Sequence, residues 1–331
     1  MGYPGKRFFD YFLTILVVVS LNFALPRLMP GDPFLYLSAD HGGEIARFSP
    51  GQIDAYRQQY GLDRPWHIQY AASLFALIRG DLGYSIYYNN KVSTILASRL
   101  PWTLLLVLSA VLLSTVASCL LGSISAAFRG RNLDRLLYPS MIIVAEIPAF
   151  LLGLVLLFFL AAGLGMFPLS GAMTHFAHYS GYWEQIVDMA HHAVLPVLTL
   201  TLVRTGSMYL LARNAMTTVL TRDYVRTARA KGLSPMRILM RHSLRNAMVP
   251  VVTRVFLSLG GLVGGAILVE NVFAYPGLGL LMRESVLVHD YPVIQGIFLL
   301  ITLTVLSANF LADLVYRRLD PRITESIEVQ S

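Results

Sequence analysis

The chain has 331 residues, of which 55% are hydrophobic and only 14% are charged, and its formal net charge is +7. This composition is typical of membrane proteins, because a soluble domain of this length could not bury such long uncharged runs. A soluble enzyme is therefore not expected. The single thiol, Cys119, excludes an intrachain disulfide and a cysteine-rich metal centre.

Six stretches of the sequence approach the roughly 20 apolar residues that are needed to cross a bilayer. They cover residues 8–29, 100–128, 136–160, 194–216, 249–270 and 293–316. Residues 8–29 could also be a signal peptide, because Lys6 and Arg7 precede them, but the run is long and no A-x-A-like cleavage site follows. We therefore expect an all-α membrane protein with six principal transmembrane helices.

The positions of Lys and Arg predict the orientation of these helices, since positively charged loops stay in the cytoplasm. With the amino terminus inside, the cytoplasmic segments contain Lys6 and Arg7, the basic residues at 129–135, a larger basic group at 213–245 and those at 317–322. The two short outer loops, 161–193 and 271–292, contain only Arg283. Both termini are therefore expected to be cytoplasmic. Nucleic-acid binding is not indicated, because the basic residues are dispersed among the spans.

Two short helices are predicted in the long outer segment, residues 30–99. The sequence "SPGQ" at 49–52 combines a capping serine with a proline at the first helical position, so a helix should run from Pro50 to about residue 60 and stop at Gly61. Pro65 should open a second helix toward Ile78, which should stop near Gly80. The apolar and aromatic face of the second helix indicates that it lies at the membrane interface.

The second outer loop contains several histidines and could suggest a metal site. However, Glu184 and Asp188 are the only acids near them and no cysteine is close in sequence, so solvated histidines are expected instead. The four histidines are His175, His178, His191 and His192.

The sequence "DYVRTARAKGLS" at 223–234 begins a strongly basic segment. Tyr224 to Lys231 can form a short helix, Gly232 should break it, and Pro235 should start a second helix that runs toward Met248. This pattern predicts a compact knob in a cytoplasmic loop, whereas a merely solvated basic loop that contacts lipid head groups would need no glycine break. Three arginines spaced by four residues should share one face of the second helix: Arg237, Arg241 and Arg245.

The sequence has no G-x-x-x-x-G-K-[ST] phosphate loop. If nucleotide drives the activity of this chain, another chain must therefore bind it.

A series of motifs in a fixed order resembles the membrane subunits of bacterial ABC importers of the dipeptide, oligopeptide and nickel family. They include "PGDP" at 30–33, "RGDLGYS" at 79–85, "FPLSG" at 167–171, "DYVRTARAKGL" at 223–233, "FAYPGLG" at 273–279, "DYPVIQG" at 290–296 and "LDPRI" at 319–323. The resemblance covers nearly the whole chain. It implies the type I ABC importer permease fold, with short outer and cytoplasmic coupling helices, in a multi-pass protein of the bacterial cytoplasmic membrane.

The resemblance also implies a division of the chain and a set of partners. A single permease domain, residues 1–331, would comprise a first span (1–29), an outer segment (30–99), a five-helix core (100–323) with a coupling loop (217–248), and a cytoplasmic tail (324–331). A second homologous permease, two ATPase subunits and an extracytoplasmic solute-binding protein would complete the importer. ATP and Mg²⁺ would be bound by the ATPase subunits, and this chain would hold no cofactor and catalyse no covalent step. The cargo would be peptides, nickel chelates or a related small solute.

The basic knob is similar to the loop with which this family docks into its ATPase subunit. The family's usual Glu-Ala-Ala triplet is replaced here by Arg226, Thr227 and Ala228, so an acidic contact at the first position is not available. The resemblance implies that Ala228 and Ala230 allow close approach and that Gly232 supplies the turn. The implied coupling residues are Asp223, Tyr224, Arg226, Thr227, Ala228, Ala230, Lys231, Gly232 and Leu233.

Three ionisable residues fall inside predicted spans: Glu146, Arg204 and Arg254. A charge at mid-bilayer costs about 2.5 to 3.5 kcal/mol on insertion scales, so each should face protein or water. Glu146 could neutralise one of the arginines, or the three could line the translocation pathway, and the sequence leaves both interpretations open. We expect both arginines near a central cavity, with Glu146 close enough to pair with at least one of them.

Two other function classes are weighed against the importer. A secondary transporter driven by an ion gradient is the main alternative, but no inverted repeat is visible and the docking knob has no role in it. A membrane enzyme is disfavoured because no nucleophile and base stand at a recognisable spacing.

Overall fold

The computed structural model describes residues 3–28 and 50–319, and every regular element in these ranges is helical. The helices in chain order are α1 (Tyr3–Leu28), α2 (Pro50–Gln59), α3 (Trp66–Ile78), α4 (Val92–Ala127), α5 (Asn132–Glu146), α6 (Ala149–Leu156), α7 (Tyr182–Leu220), α8 (Asp223–Ala230), α9 (Leu244–Val272), α10 (Leu278–Leu287) and α11 (Tyr291–Leu319). A π-helical turn at Leu157–Gly163 extends α6, and a second at Ile238–Ser243 precedes α9.

Among the described residues, three helices are long and apolar enough to cross a membrane: α4, α7 and the part of α11 at Tyr291–Ala312. Helices α5 and α6 meet the same criterion only as a bent pair, and Leu13–Leu28 of α1 is a shorter apolar helix. These elements account for five of the six predicted spans, and α9 covers the remaining one at 249–270.

The predicted third span, residues 136–160, is not one helix. It is divided at Ile147 and Pro148, and the two halves are bent by 104°. Ile147 has an extended backbone with ψ 124°, because the ring of Pro148 disfavours the helical conformation of the preceding residue. Pro148 then caps the start of α6. The break places Glu146 at the end of a helix rather than in the middle of a span.

The chain divides into two compact units, of which the first comprises Met1–Trp102 and Pro276–Leu306. Its short helices confirm the sequence prediction for the outer segment. Helix α2 begins at Pro50 and is followed by Gly61 at φ +66°, while α3 follows Pro65 and is followed by Gly80 at φ +73°. Glycine adopts this left-handed conformation without the penalty that a side chain would impose, so both helices end where the sequence predicts.

A buried carboxylate joins two distant motifs in the first unit. Asp290 is fully buried and accepts hydrogen bonds from the Ser85 hydroxyl, the Ile86 amide (3.2 Å) and the Tyr87 amide (3.1 Å). Burial raises the pKa of Asp290, and these hydrogen bonds act in the opposite direction. The apolar core beside this carboxylate is formed by Val92, Ile95, Leu96, Leu278, Leu281, Val293 and Ile297.

The second unit, Thr103–Tyr275 with Ser307–Ser331, is organised around α7, which packs against α5, α6 and α9. Two glycines allow helices to approach α7 closely. A Cβ atom on Gly206 would lie 2.7 Å from the amide nitrogen of Ala145 in α5, and one on Gly122 would lie 2.9 Å from the amide nitrogen of Arg213. Small residues at helix contacts are the usual way in which membrane helices gain packing energy.

Candidate functional site

The basic segment forms a helix that ends in a glycine turn, as predicted. We call residues 217–248 the coupling segment. Its first helix, α8, is followed by Gly232 at φ +74°. The Gly232 amide donates to the Arg229 carbonyl (2.9 Å), and the Leu233 amide donates to the Ala228 carbonyl (3.3 Å). This pair of hydrogen bonds is the Schellman motif, in which a glycine past the helix end satisfies the last carbonyl groups.

The apolar side of α8 packs inside the coupling segment itself. Val225 and Ala228 are buried together with Ile238, and Leu220 and Leu233 pack against them. The methyl group of Ala228 therefore fills this small core, whereas Ala230 is the exposed member of the predicted alanine pair. The implied coupling residues that remain exposed are Asp223, Tyr224, Arg226, Thr227, Ala230, Lys231 and Gly232, and Leu233 is half-buried.

The second half of the coupling segment differs from its predicted form. A single turn at Pro235–Arg237 leads into the π-helical turn at Ile238–Ser243, and the chain then continues directly into α9 instead of ending near Met248. Mechanical displacement of the coupling segment would therefore act on the long helix α9 without an intervening loop. The arginines predicted to share a face are all exposed: Arg237, Arg241 and Arg245.

Packing also ties the coupling segment to the ends of two other helices. Met216 of α7 and Ala126 of α4 form a buried cluster with Leu239 and Ala247. In addition, the Asn246 side-chain amide donates to the Tyr224 hydroxyl (3.0 Å). The segment is thus a rigid knob that is anchored to α4, α7 and α9 rather than a free loop.

A buried ion pair stands close to this anchor and was missed by the sequence reasoning. The Arg213 guanidinium donates two hydrogen bonds to the Asp134 carboxylate, both at 3.0 Å. Asp134 also accepts from the Ser125 hydroxyl and the Gly130 amide (2.9 Å), and Ser125 shares a hydrogen bond with Tyr209 (2.6 Å). Bidentate pairing of this kind fixes geometry as well as charge. It locks the end of α4, the start of α5 and the second half of α7 together.

The three ionisable residues of the spans do not pair as expected. Arg204 is buried and donates to the Ser258 hydroxyl (2.8 Å), and its Nε–H has no hydrogen-bond partner among the described residues. Arg254 is exposed on α9, one helical turn before the Ser258 to which Arg204 donates. Within the described ranges, no ion pair joins Glu146 to either arginine. Of the two interpretations that the sequence left open, neutralisation by Glu146 has no ion pair to support it among the described residues, and lining of the pathway stays a proposal.

The histidines of the second outer loop include one, His192, that lies beside a hydrogen-bonded carboxylate, Asp188. No group of three or more His, Cys, Asp or Glu side chains in the described part of the chain could hold a metal ion. Instead, Asp188 anchors the loop by accepting hydrogen bonds from the amide and hydroxyl of Thr174 and from the hydroxyl of Tyr179, all at 2.7 Å. The hydrogen bond to Asp188 raises the pKa of the Tyr179 hydroxyl. The Nδ1 atom of His192 lies 3.6 Å from the Oδ1 atom of Asp188.

Comparison with known proteins places these features in a family. The profile of the family "Binding-protein-dependent transport system inner membrane component" matches residues 118–325, which include the coupling segment, α7 and α9. The chain belongs to this family. We call this chain the permease from here on. A Brucella suis protein that is provisionally named a peptide permease is 39% identical to it over 310 residues, which are 93% of this chain and 94% of the Brucella protein. The glutathione transport system permease protein GsiC of Salmonella paratyphi A is 36% identical and covers 98% of this chain and 99% of its own.

Solved structures agree with this assignment at the level of the fold. An inward-facing structure of the MetNI methionine ABC transporter superposes on the permease with a TM-score of 0.56 at 20% identity, and the match covers 69% of this chain and 97% of the other. The type I ABC importer permease fold predicted from the sequence is thereby confirmed.

Family membership also decides between the function classes. The permease is a multi-pass inner-membrane component of binding-protein-dependent transport, whose ATPase resides in a separate subunit. It is a transport component and not an enzyme. The alternative of a secondary transporter driven by an ion gradient is wrong.

Proposed function

We propose that the permease imports peptides or related small solutes that carry a carboxylate. The names of the relatives described above, for peptides and for glutathione, support this substrate class. The sequence resemblance extends to nickel importers, so an anionic nickel chelate belongs to the same proposal. Peptides, glutathione and such chelates share at least one carboxylate, which is the group that a positively charged pathway would favour.

The charge of the candidate pathway residues carries this proposal. Arg204 donates to Ser258, which lies one helical turn from Arg254 on α9, and no described carboxylate forms an ion pair with either arginine. Two guanidinium groups at membrane depth need water, an anion or both to offset the loss of hydration. A cargo carboxylate that passes Arg254 would supply the missing negative charge. Glu146 is exposed at the break between α5 and α6 and lies on the pathway in this proposal, where its charge would disfavour a second anion.

The coupling segment is proposed to dock into an ATPase subunit through its exposed residues. The rigid anchoring of this knob to α4, α7 and α9 would let a displacement of the ATPase move those helices as packed bodies. ATP and Mg²⁺ would remain in the ATPase subunits. A second, homologous permease, two ATPase subunits and a solute-binding protein on the opposite face would complete the transporter, with both termini of this chain in the cytoplasm.

A matched pair of substitutions at Gly232 tests the coupling role. Gly232→Pro cannot adopt φ +74°, because proline fixes φ near −65°, and it also removes the amide that donates to Arg229. Gly232→Asn keeps the amide, and asparagine tolerates the left-handed conformation. We expect the Pro variant of the assembled importer to lose ATP-driven uptake by at least tenfold and the Asn variant to retain most of it. Normal uptake by an assembled Gly232→Pro importer would show that coupling does not depend on this turn.

A further inference from the structure

The first unit contains a cavity of about 720 Å³. Helix α1 contributes Val19, Asn22 and Phe23 to its wall, α3 contributes residues from Gln69 to Leu77, and α11 contributes Pro292 to Leu299. All of these residues belong to the same compact unit. The cavity is thus a feature of this unit alone, and neither the coupling segment nor the candidate pathway residues contribute to it.

Two side-chain amides in the wall of the cavity are buried donors that find no acceptor in the part of the chain that the structure describes. Asn22 is only 7% exposed, and its Nδ2 atom has no hydrogen-bond partner among the described residues. The Nε2 atom of Gln295 is likewise buried without a partner there. A buried amide donor without an acceptor loses its hydrogen bonds to water with nothing in return, so a group that accepts from both amides would stabilise the fold.

Arg27 adds a positive charge to these donors and is held in a fixed orientation. Its Nε–H donates to the Gln69 Oε1 atom (3.0 Å), one Nη1–H donates to the Phe23 carbonyl (3.0 Å), and its guanidinium carbon lies 3.7 Å from the centre of the Phe23 ring. Of the five N–H groups of an arginine, two form these bonds, and the other three have no hydrogen-bond partner among the described residues. Among the described residues no carboxylate forms an ion pair with Arg27.

The charge of the cavity wall is therefore positive on balance. Arg27 and Arg64 are its basic residues, and Asp81 is its acid. Asp81 is exposed, and its carboxylate already accepts the Gly83 amide (2.9 Å). The buried side-chain atoms of this wall that lack a hydrogen-bond partner among the described residues are both N–H donors, and such donors beside a guanidinium suit a phosphate oxygen better than a cation.

The cavity lies near the ends of two helices and has apolar patches in its wall, so its ligand should have an apolar part as well as an anionic group. Asn22 stands six residues before the end of α1, and Gln295 four residues after the start of α11, which correspond to about 9 Å and 6 Å along the helices. Val19, Leu77 and Leu299 give the wall apolar patches, and Phe75 and Ile78 of α3 expose 65% and 82% of their surfaces outside it. An amphiphile with an anionic head and an acyl chain matches this combination.

We propose that this cavity binds a phosphate group through Asn22, Arg27 and Gln295. The phosphate belongs either to a phospholipid in the leaflet where α1 ends and α11 begins or to a soluble molecule. Occupation satisfies the two amides and the Arg27 N–H groups that lack a partner among the described residues, and it stabilises the arrangement of α1 and α11 around the cavity. Such a site makes the stability of the permease depend on phosphate-bearing ligands, independently of its cargo.

The test uses the purified importer, stripped of lipid, and native mass spectrometry. The three probes are dioctanoyl phosphatidylglycerol, dioctanoylglycerol, which lacks the phosphate, and inorganic phosphate. We expect the intact complex to retain phosphatidylglycerol at least tenfold better than dioctanoylglycerol. Arg27→Gln should reduce this retention about tenfold, while Arg79→Gln, which changes an exposed arginine that does not line the cavity, should leave it unchanged. Gln295→Leu gives a second variant in case Arg27→Gln does not assemble.

The probes separate the two sources of phosphate. Competition by inorganic phosphate at millimolar concentration would identify a soluble phosphate as the ligand, and failure to compete would identify the lipid head group. Equal retention of dioctanoylglycerol, or retention of phosphatidylglycerol that is unchanged in both Arg27→Gln and Gln295→Leu, would overturn the proposal.

Discussion

The close approach of α5 to α7 makes Gly206 the most sensitive glycine to test. In Gly206→Ala the new methyl carbon would lie 2.7 Å from the Ala145 amide nitrogen, 2.8 Å from the Met141 carbonyl oxygen and 2.9 Å from the Ala145 Cα atom. All three are backbone atoms, so no side chain can rotate away and α5 itself must move. The same segment of α5 ends at Glu146, so the displacement also reaches a candidate pathway residue.

The size of the effect follows from two opposing terms. Overpacking of a tight contact costs about 1–3 kcal/mol, and contacts with backbone favour the upper end of this range. Alanine gains about 1 kcal/mol over glycine in helix propensity. The expected net destabilisation is therefore about 2 kcal/mol, which lowers the melting temperature of a domain of this size by about 4 °C or more.

Thermal unfolding of the purified importer in detergent measures this effect. Gly181→Ala serves as the control, because Gly181 has an extended backbone and, its chain neighbours aside, no described atom lies within 4 Å of the place that its new methyl group would take. Gly181 is the N-cap residue of α7, where alanine is slightly less favourable than glycine, so we expect the control to melt within about 2 °C of the wild type. If Gly206→Ala and Gly181→Ala had the same melting temperature, the close packing of α5 on α7 would not exist in the assembled protein.

Three further predictions follow from the other sites. Asp290→Asn should destabilise the permease by about 2–3 kcal/mol in thermal unfolding, because the single oxygen of an amide cannot accept from all the donors around this carboxylate. The control Asp54→Asn changes an exposed carboxylate and should be neutral. Equal effects of the two substitutions would refute the role of the buried carboxylate. Arg254→Met should leave the assembled importer intact and lower the uptake of carboxylate-bearing cargo, since Arg254 has no ion pair to lose in the described structure; loss of assembly would instead indicate a structural role. Single cysteines at His178 and Lys231, in a chain without Cys119, should react with membrane-impermeant reagents from outside and from inside respectively, and the reverse pattern would refute the proposed topology.

The local features of the permease could be predicted from the sequence because their causes are local. Helices α2 and α3 begin at or just after prolines and end before glycines at positive φ, and α8 ends at Gly232 for the same reason. Hydrophobic length alone predicts the long helices, since a bilayer requires about 20 apolar residues. The division of the third span at Pro148 had a signal in the sequence as well, but its 104° bend depends on packing around α7.

The pairings between distant residues were decided by the tertiary structure. Ser85 and Asp290 are 205 positions apart, and Arg213 and Asp134 are 79 positions apart, yet each pair is in direct contact. No periodicity relates such residues, because their distance depends on how whole helices pack. For the same reason Glu146 was predicted to pair with an arginine and does not. Its helix ends at the break before Pro148, and the buried partner of Arg204 is the hydroxyl of Ser258 instead.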